Sequence, residues 1–132
     1  MGDFMPGGRA TVLVCITCRA AADSADAAPR AGPALAEATA AAAANAPDIS
    51  VRRIRCLGNC GRGPSAAIRC DNTWTYVFGG LDPSFDGPSL IVGARLLAQA
   101  ADGIMPWRGR PEPLKRGLIA RVPPLDFREE SP

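Results

Sequence analysis

The sequence contains no histidine, which is a frequent general base and metal ligand in proteins. It also shows no nucleophile–base pair, no phosphate-binding loop and no paired carboxylates that suggest independent catalysis. These absences argue against independent catalysis, so we predict a carrier or metal-binding protein that is not an enzyme.

Large apolar side chains and long apolar runs are also scarce. Only 5% of the 132 residues are aromatic, and alanine supplies much of the apolar content, so the single domain that this length predicts has a light core that a metal would help to hold together. No stretch approaches the roughly 18 apolar residues of a membrane-spanning helix, and residues 1–9 lack the basic start and apolar run of a secretory signal. We therefore expect a cytoplasmic protein with no membrane partner.

The charge is small in total but unevenly placed. A formal net charge of +2 is too low for whole-surface attraction to nucleic acid. Between Asp48 and Asp71, however, five basic residues crowd together: Arg52, Arg53, Arg55, Arg62 and Arg69. They are either a solvated strand edge or a positive surface that offsets an anionic cluster or docks an acidic partner.

Two cysteine pairs are the main candidate ligands, namely Cys15 with Cys18 and Cys56 with Cys60. Each pair follows a run with the alternation of a β-strand, at residues 10–14 and 49–55. In a reducing compartment, clustered cysteines are more often metal ligands or redox groups than structural disulfides. Four thiolates without histidine point to an iron–sulfur cluster or a structural zinc.

Three chemistries use such pairs, and the spacing leaves all three open. A thiol–disulfide centre needs a helix directly after Cys18, and the sequence there does not predict one. A zinc site with four cysteine ligands usually joins two C-x-x-C turns, whereas Cys56 and Cys60 are separated by three residues. A 2Fe-2S cluster takes two thiolates for each iron and is anionic.

The 2Fe-2S interpretation uses the most features of the second loop. Its glycines, Gly58, Gly61 and Gly63, allow the backbone to wrap closely and direct N–H groups at sulfur. Arg55 and Arg62 supply positive charge beside them. Pro64 then returns the chain to the sheet.

The order of elements predicts a thioredoxin-like α/β fold with a mixed four-stranded sheet. A strand–helix–strand unit, with its helix at 33–45, is followed by a hairpin turning at Asp71-Asn72 and by a closing helix at 88–101. We expect this domain to span residues 9–104. The proline- and arginine-rich segment 105–132 is expected to be an arm with one short helix around 114–120, packing on the domain or on a partner.

A resemblance is carried by the sequence from Cys56 to Pro64, CLGNCGRGP, which resembles the second ligand loop of thioredoxin-like 2Fe-2S ferredoxins. That group includes the small peripheral iron–sulfur subunit of respiratory complex I. The whole chain more closely resembles the bacterial family called domain of unknown function 1636, described as predicted metal-binding proteins. The matching stretches are residues 14–19, 55–64, 74–83 and 120–124.

The resemblance implies a 2Fe-2S cluster held by Cys15, Cys18, Cys56 and Cys60. The alternative that the residues leave open is a zinc-binding or metal-delivery module without redox activity. It implies a ferredoxin-like electron carrier whose partner is a redox protein. Family members occur beside cobalamin-biosynthesis genes, which makes a cobalamin-pathway enzyme a candidate partner. A homodimer is compatible with the sequence.

Two further groups have a structural and a functional interpretation. The first two cysteines are closer together than in the ferredoxin group, which makes Cys70 the alternative to Cys18 as fourth ligand; otherwise Cys70 is a small buried apolar residue. Trp74, Tyr76 and Phe78 alternate on one face of a strand and are expected in the core rather than at an electron-relay or base-stacking surface.

Overall fold

The structure is a computed structural model that describes residues 10–17, 31–58 and 62–127. These residues form five strands and three α-helices. The strands are β1 (Ala10–Cys15), β2 (Ile49–Ile54), β3 (Ala66–Cys70), β4 (Thr75–Phe78) and β5 (Leu118–Val122). The helices are α1 (Ala31–Ala42), which continues as a 3-10 turn over Ala43–Asn45, α2 (Gly87–Ala98) and α3 (Pro113–Arg116).

The strands form one mixed sheet in the order β2-β1-β3-β4-β5. β1 and β2 are parallel and joined through α1, whereas β3, β4 and β5 continue the sheet in antiparallel pairs. The predicted strand–helix–strand unit, hairpin and closing helix are therefore all present. The parallel pair matters most for function, because it brings the carboxyl ends of β1 and β2 to the same edge of the sheet.

The sheet has five strands instead of the predicted four. The helix expected around residues 114–120 ends at Arg116, and the chain then enters β5, which pairs with β4. The change of direction occurs at Gly117, which packs directly against Gly79. The Gly79 N–H donates to the Gly117 carbonyl at 2.8 Å. A Cβ on Gly117 would lie 2.8 Å from the Gly79 carbonyl oxygen and 2.5 Å from that of Pro113.

The core lies between the sheet and the two long helices, which both pack on one face of it. Apolar side chains at alternate positions of the inner strands meet Leu35 of α1 and Leu90 and Leu97 of α2. The largest fully buried side chains include Val12, Val14, Leu35, Ile68, Tyr76, Phe78, Leu90 and Leu97. The Tyr76 and Phe78 rings stack at 6.3 Å, and Trp74 packs against the same cluster, so the prediction that these aromatics belong to the core is confirmed.

The helices α1 and α2 touch at a glycine. Gly87 begins α2 and lies against the backbone of α1, where an added Cβ would be 2.8 Å from the Ala38 carbonyl carbon and 2.9 Å from the Thr39 nitrogen. Thr39 is itself fully buried and donates its hydroxyl to the Leu35 carbonyl at 2.7 Å. This close approach lets the alanine-rich α1 and the more aliphatic α2 pack together over the sheet.

Segment 105–127, the described part of the predicted arm, packs on the domain predicted for 9–104. The Tyr76 hydroxyl accepts a hydrogen bond from the Met105 N–H at 2.9 Å. The nearly buried Arg110 guanidinium lies 5.5 Å from the centre of the Tyr76 ring and donates to the Met105 carbonyl at 2.5 Å. These contacts hold the segment to the sheet before it adds β5.

The helices are short. α1 and α2 have 12 residues each, and α3 has four. A membrane-spanning helix needs about 20. Across the three described ranges, no helix has the length and apolar character to cross a membrane.

Candidate metal centre

Two of the four predicted ligands lie at one end of the sheet. Cys15 is the last residue of β1, and Cys56 follows β2 after Arg55. Cys15 is in register with Ile54 of the parallel strand β2. Cys56 therefore lies two residues beyond the position that is level with Cys15. The topology therefore delivers one cysteine from each predicted pair to the same edge.

The Cys15 side of this edge is buried and polar. The Cys15 thiol is fully buried, with Sγ 3.4 Å from the Arg55 carbonyl oxygen and 3.4 Å from the Thr17 hydroxyl. The Thr17 hydroxyl also donates to the Arg55 carbonyl. A further bond, from the Ile16 N–H to the Ile54 carbonyl at 2.9 Å, ties the turn after β1 to the end of β2.

The Cys56 side is exposed and already carries a backbone donor. The Gly58 N–H points at the Cys56 sulfur with an N···S distance of 3.1 Å. Gly58 has φ of +76°, and a Cβ there would touch nothing within 4 Å, so the need for glycine is one of backbone conformation and not of space. A thiolate is stabilised by such N–H donors, which makes Cys56 suited to holding a cation.

The loop returns to the sheet through buried backbone. Gly63 and Pro64 are buried and joined by a cis peptide bond, whereas Arg62 is exposed. The Arg62 carbonyl accepts from the Gly80 N–H at 2.5 Å, and the Pro64 carbonyl accepts from Leu81 at 3.2 Å. The loop that starts at Cys56 is thus anchored where it rejoins the sheet.

The remaining predicted site residues, Cys18, Cys60 and Gly61, lie outside the described residues. Within the described ranges, no three Cys, Asp or Glu side chains come together as a metal-binding group. The described ranges contain one cysteine of each pair, Cys15 and Cys56. The ligand set of four therefore stays a prediction.

The structure separates Cys70 from this edge. Cys70 is in register with Ala10, at the start of β1, whereas Cys15 is five residues further along the same strand. At about 3.3 Å per residue, the two positions are roughly 17 Å apart along the sheet. Partial burial also raises the pKa of the Cys70 thiol, which disfavours the thiolate that binds metal. Cys70 therefore belongs to the opposite end of the sheet.

Thr17 is the residue that the sequence interpretation left without a role. Its hydroxyl bridges the Cys15 thiol and the backbone of the adjacent strand. The signal available in the sequence was a hydroxyl side chain inside a C-x-x-C loop, where it can reach a cysteine two residues away. The partner on the other strand, the Arg55 carbonyl, could be found only from the strand register.

The chain is similar to known proteins in two ways, through a family model and through solved structures. A family model described as protein of unknown function (DUF1636) matches residues 12–124. No curated protein gives a significant match. Among solved structures, a wild-type thioredoxin-like [2Fe-2S] ferredoxin from Aquifex aeolicus is similar with a TM-score of 0.55 and 16% identity, over 86% of this chain and 98% of that one.

A second structure, of a thioredoxin-like [2Fe-2S] ferredoxin from Aquifex aeolicus, aligns with a TM-score of 0.55 and 19% identity, over 91% of this chain and 99% of the other. At this level of identity, the similarity concerns the fold. The predicted thioredoxin-like α/β architecture is confirmed over most of the chain.

Proposed function

The chain belongs to the family of proteins of unknown function DUF1636, and we propose that this member binds a 2Fe-2S cluster and carries single electrons. The observation that carries the proposal is the placement of Cys15 and Cys56 at the ends of adjacent parallel strands. The same fold serves 2Fe-2S ferredoxins in Aquifex aeolicus. Cys15, Cys18, Cys56 and Cys60 would be the four ligands.

The described residues near Cys15 and Cys56 have the chemistry that a 2Fe-2S cluster requires. A bound 2Fe-2S cluster gains and loses one electron at a time, with a potential set by hydrogen bonds to sulfur and by solvent exposure. The Cys15 thiol is enclosed by protein, and Cys56 faces solvent. The Gly58 N–H is directed at the Cys56 sulfur. One side of the centre is therefore shielded from water, and the other is accessible to a partner.

The two alternative chemistries differ in what they require of the same residues. A structural zinc would use the same thiolates without redox change. A thiol–disulfide centre gains its low thiol pKa from a helix that begins at the cysteine pair. Residues 18–30, where such a helix would begin, lie outside the described residues, so the expectation that no helix directly follows Cys18 stays a prediction.

The test is metal analysis of the protein purified without oxygen. We expect a red-brown protein with two irons and two acid-labile sulfides per chain, whose visible absorption decreases on reduction with dithionite. An electron paramagnetic resonance signal of one unpaired spin should appear at the same time. A colourless protein with one stoichiometric zinc would contradict the proposal, as would a metal-free protein with a reversible disulfide.

We predict that Thr17→Val lowers the reduction potential. The Thr17 hydroxyl has one proton, which it donates to the Arg55 carbonyl in this structure. When Cys15 is a thiolate it becomes a charged acceptor 3.4 Å away, and we expect the Thr17 proton to turn to the sulfur. Losing about 1 kcal/mol of stabilisation of the reduced state corresponds to about 40 mV for one electron. The measurement is a spectroscopic redox titration.

Thr17→Ser is the control, since it keeps the hydroxyl and should have a potential close to that of the wild type. Equal shifts in Thr17→Val and Thr17→Ser would show that packing at residue 17, and not the hydrogen bond, sets the potential.

The physiological partner is proposed to be a redox protein. An enzyme of cobalamin biosynthesis stays a prediction that rests on the family resemblance. Pull-down with the loaded protein from a cell that grows with and without cobalamin would test it, because a genuine partner should be recovered by the loaded protein and not by the metal-free form.

A further inference from the structure

Four exposed arginines line the outer strand of the sheet and the loop beside it. We call this surface the arginine edge: Arg52, Arg53, Arg55 and Arg62. The first two lie on β2, which is the terminal strand in the sheet order. Both side chains are exposed, and because the two residues are adjacent on the strand they project from opposite faces of the sheet at its rim.

The arginine edge flanks the candidate metal centre. The Arg55 carbonyl is 3.4 Å from the Cys15 sulfur, and Arg53 is in register with Val14, the residue before Cys15. Arg62 follows the second cysteine loop and is held by the hydrogen bond from Gly80. The arginine edge thus follows the strand that leads to Cys56 and resumes at Arg62, where the chain after the second cysteine pair is again described.

The charge of this region is opposite to that of the rest of the chain. Residues 49–64 contain the four arginines of this edge and no acidic or other basic residue, so they carry +4. With a net charge of +2 for the whole chain, the remaining residues carry −2 (2 − 4). A protein with this asymmetry is oriented by an acidic surface before contact, with the arginine edge leading.

We propose that the arginine edge is the docking surface for an electron-transfer partner with an acidic surface around its own redox group. The proposal rests on the proposed function, because it gives the arginines a role in bringing two redox centres together. It also differs from simple protection of an exposed sheet edge, for which charged residues of either sign would serve.

Nucleic acid is the other polyanion that such a surface could attract. Proteins that bind single strands combine positive charge with exposed aromatic rings for stacking. Here Tyr76 and Phe78 are buried on the helix side of the sheet, and Trp74 is covered by Phe127 and Arg121. The exposed rings of the described residues, Phe85, Trp107 and Phe127, belong to other segments, and residues 49–64 contain no aromatic residue. An acidic protein is therefore the partner that the arginine edge fits.

The test compares two variants with equal charge change. The edge variant is Arg52→Gln, Arg53→Gln and Arg62→Gln. Arg55 is left in place because its backbone contacts the Cys15 thiol. The control variant neutralises three exposed arginines on other elements, Arg95, Arg108 and Arg116.

The probe is an acidic flavodoxin, and the measurement is the second-order rate of transfer of one electron between it and the cluster-loaded protein by stopped flow. The direction is the one that the two potentials allow: one protein loses one electron and the other gains it. We expect the edge variant to be about tenfold slower than the wild type at 20 mM salt and the control to stay within about twofold. At 1 M salt, where charges are screened beyond about 3 Å, the three proteins should converge.

Equal slowing of both variants would overturn the proposal, because net charge and not the arginine edge would then control the rate. So would an edge variant with the wild-type rate. Tighter binding of a single-stranded oligonucleotide than of the flavodoxin, lost in the edge variant, would assign the surface to nucleic acid. Failure of the proposed function would be seen earlier, in the metal analysis, because a protein that contains no iron cannot be used in the electron-transfer assay.

Discussion

We expect Cys56→Ser to abolish the visible absorption of the purified protein, whereas Cys70→Ser leaves the spectrum unchanged. Cys56 is at the end of the sheet where Cys15 lies, and its sulfur receives the Gly58 N–H. Cys70 is in register with Ala10, roughly 17 Å along β1 from Cys15. A cluster that takes two thiolates at each iron cannot include a cysteine at that distance.

Cys56 is the better test position than Cys15. Cys56 is exposed, so serine there should leave the core and the unfolding temperature of the metal-free protein unchanged. Cys15 is fully buried, so its substitution would mix loss of the ligand with loss of packing. The measurements are the iron and sulfide content and the absorption spectrum of each variant, with circular dichroism to confirm the fold.

Cys18→Ser completes the series and is expected to lose the cluster as Cys56→Ser does. An intact cluster in Cys18→Ser combined with a lost cluster in Cys70→Ser would contradict the ligand assignment. It would also require β1 and β3 to pair in a register different from the one described, which makes the experiment a test of the fold as well as of the site.

The second large effect is expected at the contact between the two long helices. Gly87→Ala places a methyl group 2.8 Å from the Ala38 carbonyl carbon and 2.9 Å from the Thr39 nitrogen. Both atoms are backbone of α1, so the helices must separate to admit it. We expect the free energy of unfolding to fall by about 2 kcal/mol. At roughly 4 °C per kcal/mol, Tm should fall by about 8 °C.

Gly93→Ala is the matched control, since it adds the same methyl group to the same helix. There the closest atoms are the side-chain ends of Leu114 and Ile68, which can move by changing rotamer. The higher helix propensity of alanine also offsets up to about 1 kcal/mol. Thermal unfolding of the metal-free proteins should therefore give a much smaller loss for Gly93→Ala. Equal losses would show that the backbone contact between α1 and α2 admits a methyl group as easily as the side chains around Gly93 do.

The elements that could be predicted from the sequence are those whose signal is local. Alternation in residues 10–14 and 49–55 predicted β1 and β2, and the alanine-rich run between prolines predicted α1 within a few residues of its observed limits. The parallel pairing of β1 and β2 then followed from the helix between them. These steps were enough to place Cys15 and Cys56 at one edge.

The features that could not be predicted depend on pairing between distant segments. β5 is only five residues long and follows a short helix, so the choice between helix and strand at 118–122 was made by the free edge of β4. The exclusion of Cys70 needed the register of β3 against β1. The contact of Thr17 with Arg55 joins residues 38 positions apart and has no counterpart in a local pattern.

The position of β2 at the rim of the sheet also affects how copies of this chain meet one another. An open strand edge invites pairing with an identical edge, and many proteins prevent this with charge. Two copies that met through β2 would bring Arg52 and Arg53 of both chains together, so like charges would oppose the contact. We therefore expect this rim, beside the candidate metal centre, to disfavour pairing between two copies while it attracts a partner of opposite charge.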